Sequence, residues 1–308
     1  MGTTWGVSYI EGPPELTPSQ VQQGVEALLA QVNLSMSTYR TDSEISAFNA
    51  IDTQTWFSSS VEFFAVLSAA LDVGQKSEGA YDVTVGALVD LWGFGPGGII
   101  EVPPAQDEIA DLMSRVGQTN LRLDPQNRSI LKQSNLSVDV SSLAKGYAVD
   151  RVAEWLSAQG VRRYMVEVGG EMRLSGLSGR GDPWRIAIEE PKISERSIAI
   201  TLSLTDVAIA TSGDYRNYFE ANGRRYSHSI DPRTGYPVTH DLVSVTVVHQ
   251  SCMMADAWAT ALTVLGAEKA MAVAQAQGLA VYFIRRLDEE FVHSHTPLFS
   301  AYLPAAEL

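Results

Sequence analysis

The apolar residues of this chain recur at two spacings, one typical of strands and one typical of helices. At the start, Trp5, Val7 and Tyr9 alternate with the small residues Gly6 and Ser8, which predicts a strand. Similar alternating or short apolar runs predict further strands. They fall at residues 137–140, 164–168, 172–174, 184–188, 198–204, 207–209, 243–248, near 280–285 and near 291–293.

Apolar residues that recur once per helical turn predict amphipathic helices. The first of these segments is preceded by Thr17, has Pro18 at its first position and carries Gln20 where a capping box places it. Gly160 and Gly266 follow two other helical segments and are typical helix stops. The predicted helices cover residues 18–33, 59–76, about 105–116, 144–159, 252–265 and 267–277.

Helices and strands follow one another without a regular βαβ period, so the pattern predicts an α+β, or mixed α/β, fold. The chain has 308 residues and shows no internal repeat, low-complexity tract or clear linker. That length fits a single domain over residues 1–308 or two unequal lobes. The glycine-rich segment 92–98 predicts a loop, either a hinge or a loop that faces a ligand.

Charge and composition exclude several classes of partner. The net charge is -14, and a surface this acidic repels a phosphate backbone, so nucleic acid is not expected to bind. An anionic small ligand stays compatible if a metal ion or a helix N-terminus helps to hold it. No apolar run reaches the length of a membrane span, and the single cysteine, Cys252, excludes an intrachain disulfide.

Asp256 is the most unusual residue of the predicted helix 252–265, because the other residues around it are small or apolar. A carboxylate in such a place is costly unless something compensates it. Thr260 lies one turn further along the same face, and two oxygen side chains at this spacing suit a hard cation. The alternative is that Asp256 faces solvent and that Thr260 bonds back to its own helix.

Residues 138–147 predict a junction at which a strand ends and a helix begins. Free backbone N–H groups at such a junction favour anions, and Lys145 adds a positive charge. Asp139 could accept a hydrogen bond from a ribose or a base. The alternative is a plain N-cap, with Ser141 or Ser142 as the capping residue.

Three other features are candidate ligand contacts. His228 is a candidate general base because an unperturbed imidazole titrates near neutrality; alternatively it is a half-buried ring beside a turn. Gly169 and Gly170 follow a predicted strand and would let a ligand approach the backbone, or they form a bulge. Tyr39 and Tyr81 end structural elements, where tyrosines stack on ligand rings or pack a core edge.

In order and spacing, these segments together resemble the ApbE family of FAD:protein FMN transferases. The resemblance spans about residues 1–285, and its motifs are specific as a set although none is specific alone. One departure is Ser229, which stands where the family usually has Ile or Leu after the histidine. The matching segments are residues 1–4, 36–40, 81–86, 91–95, 139–146, 168–171, 211–216, 228–235 and 255–260.

The resemblance implies a fold of central mixed sheets flanked by helices, with an FAD cleft between lobes. It implies a metal site, normally for Mg²⁺, formed by Asp256, Thr260 and the backbone carbonyl of Ala144, with Ser142 nearby. It also implies a set of residues that bind FAD. These are Met1, Tyr39, Gly79, Ala80, Tyr81, Asp139, Lys145, Gly169, Gly170, Ser212, Gly213, Asp214 and Ile230.

The activity implied by the resemblance is Mg²⁺-dependent phosphoryl transfer, with FAD as substrate and an acceptor protein as partner. A Thr or Ser hydroxyl of the acceptor attacks the phosphorus next to FMN, and AMP leaves. His228 and Asp256 are the predicted catalytic residues, and His228 takes the hydroxyl proton. Two alternatives are hydrolysis of FAD to FMN and AMP, against which the Tyr39 ring would shield the pyrophosphate, and a non-catalytic flavin-binding protein.

The resemblance also suggests partners and a compartment. The expected acceptors are flavin-bearing subunits of membrane redox complexes. Members of the family are typically exported and held at the membrane by lipid on an N-terminal cysteine, whereas this sequence shows neither that cysteine nor a signal-peptide pattern. The expectation is a periplasmic, lipid-anchored protein whose leader has been removed, or a cytoplasmic protein if no leader exists.

Overall fold

The computed structural model describes residues 2–192, 197–213, 218–221, 224–288 and 290–304, without the side chains of Glu220, Arg224 and Arg225. The chain divides into two compact units. Unit 1 comprises Met1–Gln31, Leu143–Tyr215 and Asp241–Leu308. Unit 2 comprises Val32–Ser142 and Arg216–His240.

The helices are numbered here in chain order. They are α1 (Pro18–Met36), α2 (Glu44–Ala50), α3 (Val61–Lys76), α4 (Gly86–Leu91), α5 (Gln106–Met113), α6 (Ser141–Ala158), α7 (Cys252–Leu265) and α8 (Ala267–Ala276). Two short 3₁₀ helices cover Gln118–Asn120 and Pro297–Tyr302. No helix among the described residues is long and apolar enough to cross a bilayer.

The strands are numbered in the same way. They are β1 (Trp5–Tyr9), β2 (Trp56–Ser58), β3 (Leu121–Asp124), β4 (Ser129–Lys132), β5 (Tyr164–Val168), β6 (Glu171–Ser175), β7 (Trp184–Glu189), β8 (Ile198–Leu204), β9 (Val207–Gly213), β10 (Tyr218–Ala221), β11 (Arg224–Ser227), β12 (Ile230–Asp231), β13 (Tyr236–Pro237), β14 (Leu242–His249), β15 (Ala280–Leu287) and β16 (Glu290–His295).

Unit 1 is built on a seven-stranded sheet in the order β1-β5-β6-β9-β14-β15-β16. Each neighbouring pair in it is antiparallel. Strand β14 is buried along nearly its entire length, which suits its run of Val residues, and α7 packs against β9 and β14. The β7–β8 hairpin contributes Ile186 and Leu202 to an apolar cluster that also contains Val243 and Ile284.

Unit 2 combines a three-stranded antiparallel sheet, in the order β2-β4-β3, with several short elements. Leu88, Trp92, Ile109 and Ile230 form an apolar cluster in it. The indole N–H of Trp92 donates to the carbonyl of Gly235 at 2.8 Å. The glycine-rich segment 92–98 therefore starts from an anchored aromatic ring.

The longer predicted elements are confirmed, and the mixed α/β class is confirmed with them. The segments predicted at 164–168, 198–204 and 252–265 coincide with β5, β8 and α7. Other elements differ by a few residues at their ends, since terminal residues fray and lack a periodic signal. The short elements α2, α4, β2–β4 and β10–β13 were not predicted, because so few residues do not establish a period.

The strand predicted at 137–140 is wrong. Ser137 forms an isolated bridge with Val85, and residues 138–140 are not in a strand. The side chain of Asn49 accepts from the N–H of Val138 at 2.8 Å and donates to its carbonyl at 2.9 Å. An amide side chain therefore takes the place that a neighbouring strand would occupy.

Candidate active site

Helices α6 and α7 lie in close contact where Asp256 is buried. Gly146 of α6 permits the approach, because a Cβ on it would lie 2.3 Å from the carbonyl oxygen of Cys252. The N–H of Gly146 donates to Asp256 Oδ2 at 3.0 Å. Asp256 is only 5 % exposed, so the solvent-facing alternative for this residue is wrong.

Asp150 of α6 fixes the N-terminus of α7. Its carboxylate accepts from Ser251 Oγ at 2.7 Å, from the N–H of Cys252 at 3.0 Å and from the N–H of Met253 at 3.1 Å. Arg173 of β6 donates to the same carboxylate at 2.7 Å. A carboxylate at a helix N-terminus satisfies backbone donors and complements the helix dipole, so Asp150 holds the first turn of the helix that carries Asp256.

Lys145, Glu171 and Asp256 form a charge cluster, named here the Lys145 cluster. Lys145 Nζ donates to Glu171 Oε1, and it lies 3.9 Å from Asp256 Oδ1. Burial would lower the pKa of Lys145, but the carboxylates of Asp256 and Glu171 outweigh burial and raise that pKa. Burial, together with the charge of Asp256, raises the pKa of Glu171 to about 8.

The carboxyl of Asp256 is the second acid of the Lys145 cluster, and burial raises its pKa as well. When all three groups are ionised, two carboxylates face one ammonium, which leaves an excess of negative charge. Burial is the largest cause of both raised carboxyl pKa values, so ionising the two acids in this place is costly. A further cation beside Asp256 would remove that cost.

Gly169 and Gly170 form the two-residue turn of the β5–β6 hairpin. Their φ values of 66° and 104° suit the turn type that matches the twist of such hairpins, so the bulge interpretation is wrong. The N–H of Gly170 donates to Glu167 Oε1 at 2.6 Å. A Cβ on Gly169 would lie 3.1 Å from Lys145 Cδ, so the turn packs against the aliphatic stem of Lys145.

Thr260 differs from the other threonine of α7. Thr263 donates to the carbonyl of Ala259 at 2.8 Å, as threonines within helices commonly do. The Thr260 hydroxyl is half-buried and has no such bond in the described part of the chain. The alternative in which Thr260 bonds back to its own helix is therefore wrong, and its oxygen is available to a ligand.

These residues fit a hard divalent cation. Asp256 Oδ1 makes no hydrogen bond to any described residue, and its helix neighbour Thr260 offers a second oxygen. Ala144, whose carbonyl the resemblance assigns to the metal, is buried in α6 two residues before Gly146. Within the ranges described above, no three His, Cys, Asp or Glu side chains gather as a metal cage. Mg²⁺ nevertheless needs few protein ligands, since it keeps water and binds phosphate oxygens.

The junction at the start of α6 lies in unit 2 and is capped by Asp139. Asp139 Oδ1 accepts from the N–H of Ser141 at 2.7 Å, so neither Ser141 nor Ser142 is the capping residue. Ser142 Oγ instead shares a hydrogen bond of 2.8 Å with the hydroxyl of Tyr81. Burial raises the pKa of the Asp139 carboxyl.

Phe94, in the glycine-rich segment of unit 2, contacts two predicted site residues. Its carbonyl accepts from the hydroxyl of Tyr39 at 3.2 Å, and its ring meets the ring of His228 edge-on with centroids 6.3 Å apart. Tyr39 is 69 % exposed. Although most of the residue is exposed, partial burial and the charges of Asp139 and Asp90 raise the pKa of its hydroxyl. Tyr39 and His228 therefore both contact Phe94, the first at the Phe94 backbone and the second at the Phe94 ring.

The remaining predicted FAD contacts lie in different settings. Ser212 and Gly213 end β9 and are half-buried, while Gly79 and Ala80 form the turn after α3. The side chain of Ile230 is buried in the apolar cluster of unit 2, so a ligand contact through this side chain is not supported. Met1 and Asp214 lie outside the described residues.

Glu171, Asp150 and Phe94 are prominent in the structure but were not assigned a role from the sequence. Glu171 opens a strand whose other residues alternate normally, and Asp150 lies in an ordinary amphipathic helix. Their importance depends on partners distant in sequence, such as Lys145 and Ser251. The one local signal was the position of Glu171 directly after two glycines.

Comparison with known proteins gives a consistent result. The model of the ApbE family matches residues 1–283. A Vibrio cholerae protein named FAD:protein FMN transferase is 45 % identical over 303 residues, covering 98 % of this chain and 90 % of that protein. A Haemophilus influenzae protein of the same name is 43 % identical, with 97 % and 88 % covered.

Solved structures are similar over nearly the whole chain. The flavin transferase ApbE from Vibrio cholerae gives a TM-score of 0.92 at 44 % identity, covering 98 % of this chain and 96 % of that one. The apo form of the flavinyl transferase ApbE from Pseudomonas stutzeri gives a TM-score of 0.91 at 39 % identity, covering 99 % and 95 %. The similarity therefore includes both units described above.

Proposed function

The chain belongs to the ApbE family and is a flavin transferase, and we propose that it uses Mg²⁺ to transfer FMN from FAD to a Thr or Ser hydroxyl of an acceptor protein. AMP is the other product. The oxygen of the acceptor hydroxyl forms a bond to the phosphorus next to FMN, and the bond between that phosphorus and the bridging oxygen of the diphosphate breaks. The hydroxyl proton passes to a base, and the bridging oxygen leaves on AMP.

The observation that carries the metal part of this proposal is the buried, incompletely bonded carboxylate of Asp256. One oxygen of this side chain accepts from Gly146, and the other makes no hydrogen bond to a described residue. The residues that would hold the ion are Asp256, Thr260 and the carbonyl of Ala144, with Ser142 two residues before Ala144 in the sequence. When bound there, Mg²⁺ would supply charge stabilisation for the diphosphate.

His228 is the proposed general base. It is half-buried and lies against Phe94, on the loop that follows the anchored ring of Trp92. A base held against this loop would act by orienting the hydroxyl and accepting its proton as the new oxygen–phosphorus bond forms. Positioning and charge stabilisation carry most of the rate in phosphoryl transfer, so the base contributes the smaller share.

The proposed FAD contacts divide by chemistry. Lys145 supplies a positive charge for the diphosphate, and Asp139 supplies a carboxylate oxygen for a ribose or base donor. Tyr39 is exposed and its hydroxyl donates to the carbonyl of Phe94, which limits the motion of its ring, and the proposed role of that ring is to shield the diphosphate from water. That shielding favours attack by the acceptor hydroxyl over hydrolysis.

A direct test is mass spectrometry of a candidate acceptor after incubation with this protein, FAD and Mg²⁺. The expected result is a mass increase equal to one FMN on a Thr or Ser of the acceptor, with one AMP released for each FMN attached. A chelator should stop both. Attachment that is unaffected by removal of the metal would contradict the Mg²⁺ part of the proposal.

A parallel reaction without acceptor separates transfer from hydrolysis. We expect little AMP under these conditions, because the Tyr39 ring is proposed to shield the diphosphate from water. Rapid AMP release without acceptor would instead support a FAD pyrophosphatase. FAD binding with no AMP in either reaction would support a non-catalytic flavin-binding protein.

The acceptor and the compartment are further proposals that rest on the family resemblance. We propose that the acceptors are flavin-bearing subunits of membrane redox complexes and that the protein acts in the periplasm as a lipid-anchored form. Fractionation of cells that express the natural gene would locate the protein. Its recovery from the cytoplasm alone would overturn the second proposal.

A further inference from the structure

Glu171 has no part in the proposed function, yet it lies buried in the Lys145 cluster. The residue is 2 % exposed, and its Oε1 accepts from Lys145 Nζ. Its other oxygen, Oε2, is buried and makes no hydrogen bond to any of the described residues. A buried carboxylate with so few bonds is costly, so packing does not account for its presence.

The ammonium of Lys145 is shared unequally between the two carboxylates. It contacts Glu171 directly, whereas its distance of 3.9 Å to Asp256 Oδ1 exceeds hydrogen-bond length. Asp256 Oδ2 is already bonded to Gly146, so Oδ1 is the oxygen left for a metal ion. An ammonium bonded to Oδ1 would compete with a divalent cation for that oxygen and would repel it.

The backbone maintains this unequal sharing. The β5–β6 turn places Glu171 at the first position of β6, directly after Gly170. In the same turn, the Cα of Gly169 approaches the stem of Lys145, so that a Cβ there would lie 3.1 Å from Lys145 Cδ. The hairpin therefore contacts both the stem and the charged end of Lys145.

We propose that Glu171 is a positioning residue of the metal site, which holds the Lys145 ammonium away from Asp256 Oδ1 and keeps that oxygen available to a divalent cation. This inference rests on the proposed metal role of Asp256. Without Glu171, Lys145 has Asp256 as its remaining anionic neighbour within the cluster and moves onto Oδ1. Divalent affinity then falls, although no ligand of the ion has been removed.

The test measures binding of Mn²⁺ alone to the full chain, without FAD, by electron paramagnetic resonance. Glu171→Gln is expected to raise the Mn²⁺ dissociation constant by about tenfold. Glu171→Asp keeps the charge and should restore part of the affinity. Glu167→Gln is the matched control, because it removes the same charge from the same hairpin while keeping an acceptor for Gly170, and it should leave Mn²⁺ affinity unchanged.

A double-mutant cycle separates positioning from a simple loss of charge or of structure. In a Lys145→Met background the ammonium is gone, so Glu171→Gln should change the Mn²⁺ dissociation constant by less than about twofold. An equal fold-change with and without Lys145 would overturn the proposal, because it would mean that Glu171 acts only through its charge. Unchanged affinity of Glu171→Gln would overturn it too.

Failure of the metal site itself gives a different result. If Asp256→Asn binds Mn²⁺ as tightly as the wild-type chain, the proposed role of Asp256 is wrong and the positioning proposal falls with it. If Asp256→Asn abolishes binding while Glu171→Gln does not weaken it, only the positioning proposal is wrong. Should Glu171→Gln fail to fold, Glu171→Asp tests the same claim. Its shorter side chain holds Lys145 less well, so its Mn²⁺ affinity should be lower than that of the wild-type chain. Affinity equal to that of the wild-type chain would count against the proposal.

Discussion

Two buried carboxylates near the start of α7 differ in how completely they are bonded. Asp150 is 7 % exposed and accepts from Arg173, Ser251 Oγ and the N–H groups of Cys252 and Met253. Asp256 is 5 % exposed and accepts from Gly146, with one oxygen left without a hydrogen bond to the described residues. The two side chains have almost the same burial but different surroundings.

The difference separates a structural carboxylate from one available to a ligand. A buried anion with its oxygens fully bonded stabilises the groups around it, whereas one with free acceptor capacity is costly until something binds. Each carboxylate also bonds to the backbone of the opposite helix, Asp150 to α7 and Asp256 to α6. Burial alone therefore does not distinguish the two carboxylates. The number of hydrogen bonds that each accepts does distinguish them.

The largest expected effect is that of Asp256→Asn on catalysis. The amide keeps an oxygen for the N–H of Gly146 but loses the charge that is proposed to hold the cation, so FMN transfer should fall by roughly a thousandfold. The unfolding free energy should stay the same or rise, because a costly buried charge has been removed. Initial rates of AMP release and denaturant unfolding measure the two quantities, and a strongly destabilised variant would remove the contrast with Asp150.

Asp150→Asn should mainly lower the stability of the fold, in contrast to Asp256→Asn. Arg173 would lose the charge of its partner, and the donors at the start of α7 would lose an acceptor, so the unfolding free energy should fall by about 3 kcal/mol. Urea unfolding followed by circular dichroism measures this change. If this variant were as stable as the wild-type chain, the full set of bonds at Asp150 would not be a stabilising feature.

The two threonines of α7 extend the comparison at a smaller scale. Thr260→Val removes a hydroxyl with no partner among the described residues. It should raise the Mg²⁺ concentration needed for half-maximal transfer several-fold and leave the unfolding free energy nearly unchanged. Thr263→Val removes a hydroxyl that bonds to Ala259 and should cost at most about 1 kcal/mol of stability without affecting the metal. Titration of transfer activity with Mg²⁺, alongside thermal unfolding, compares them. Equal Mg²⁺ requirements in both variants would count against a metal role for Thr260.

The smallest expected effect is on the pH dependence of stability, through His249, which bonds Ser251 next to Asp150. Burial lowers the pKa of His249, whose Nδ1 accepts from the N–H of Ser251 at 3.0 Å. A lowered folded-state pKa means that the unfolded chain binds the proton first, so this group destabilises the fold as pH falls below its usual value of 6.5. His249→Asn keeps an acceptor and should lose stability less steeply between about pH 7.5 and about pH 5. Identical pH profiles for the variant and the wild type would refute this.

The sequence contains the information for Asp256 but not for its neighbours. Asp256 stands out because a single carboxylate interrupts an apolar helix, and that local contrast needs no knowledge of tertiary structure. Glu171 and Asp150 lie in segments of ordinary composition. Their roles come from contacts with residues more than 20 positions away along the chain, such as the bond between Asp150 and Arg173, which are 23 positions apart. Periodicity does not report such contacts.

The same limit explains which parts of the fold were predicted. Long elements such as α7 and β8 repeat their pattern enough times to be recognised. The segment 137–140 was predicted wrongly because Val138 and Val140 are buried although they are not in a strand, and the Asn49 side chain bonds the backbone N–H and carbonyl of Val138. The residues assigned to FAD, together with His228 as base, came from the family resemblance and remain predictions.

The contact at Gly146 has a consequence for how this protein can change. At this position α6 and α7 meet through backbone atoms, because a Cβ on Gly146 would lie 2.3 Å from the carbonyl oxygen of Cys252 and the N–H of Gly146 bonds Asp256. Side-chain substitutions elsewhere would therefore change the spacing of α6 and α7 at Asp256 little, whereas any residue larger than glycine at position 146 would force the two helices apart.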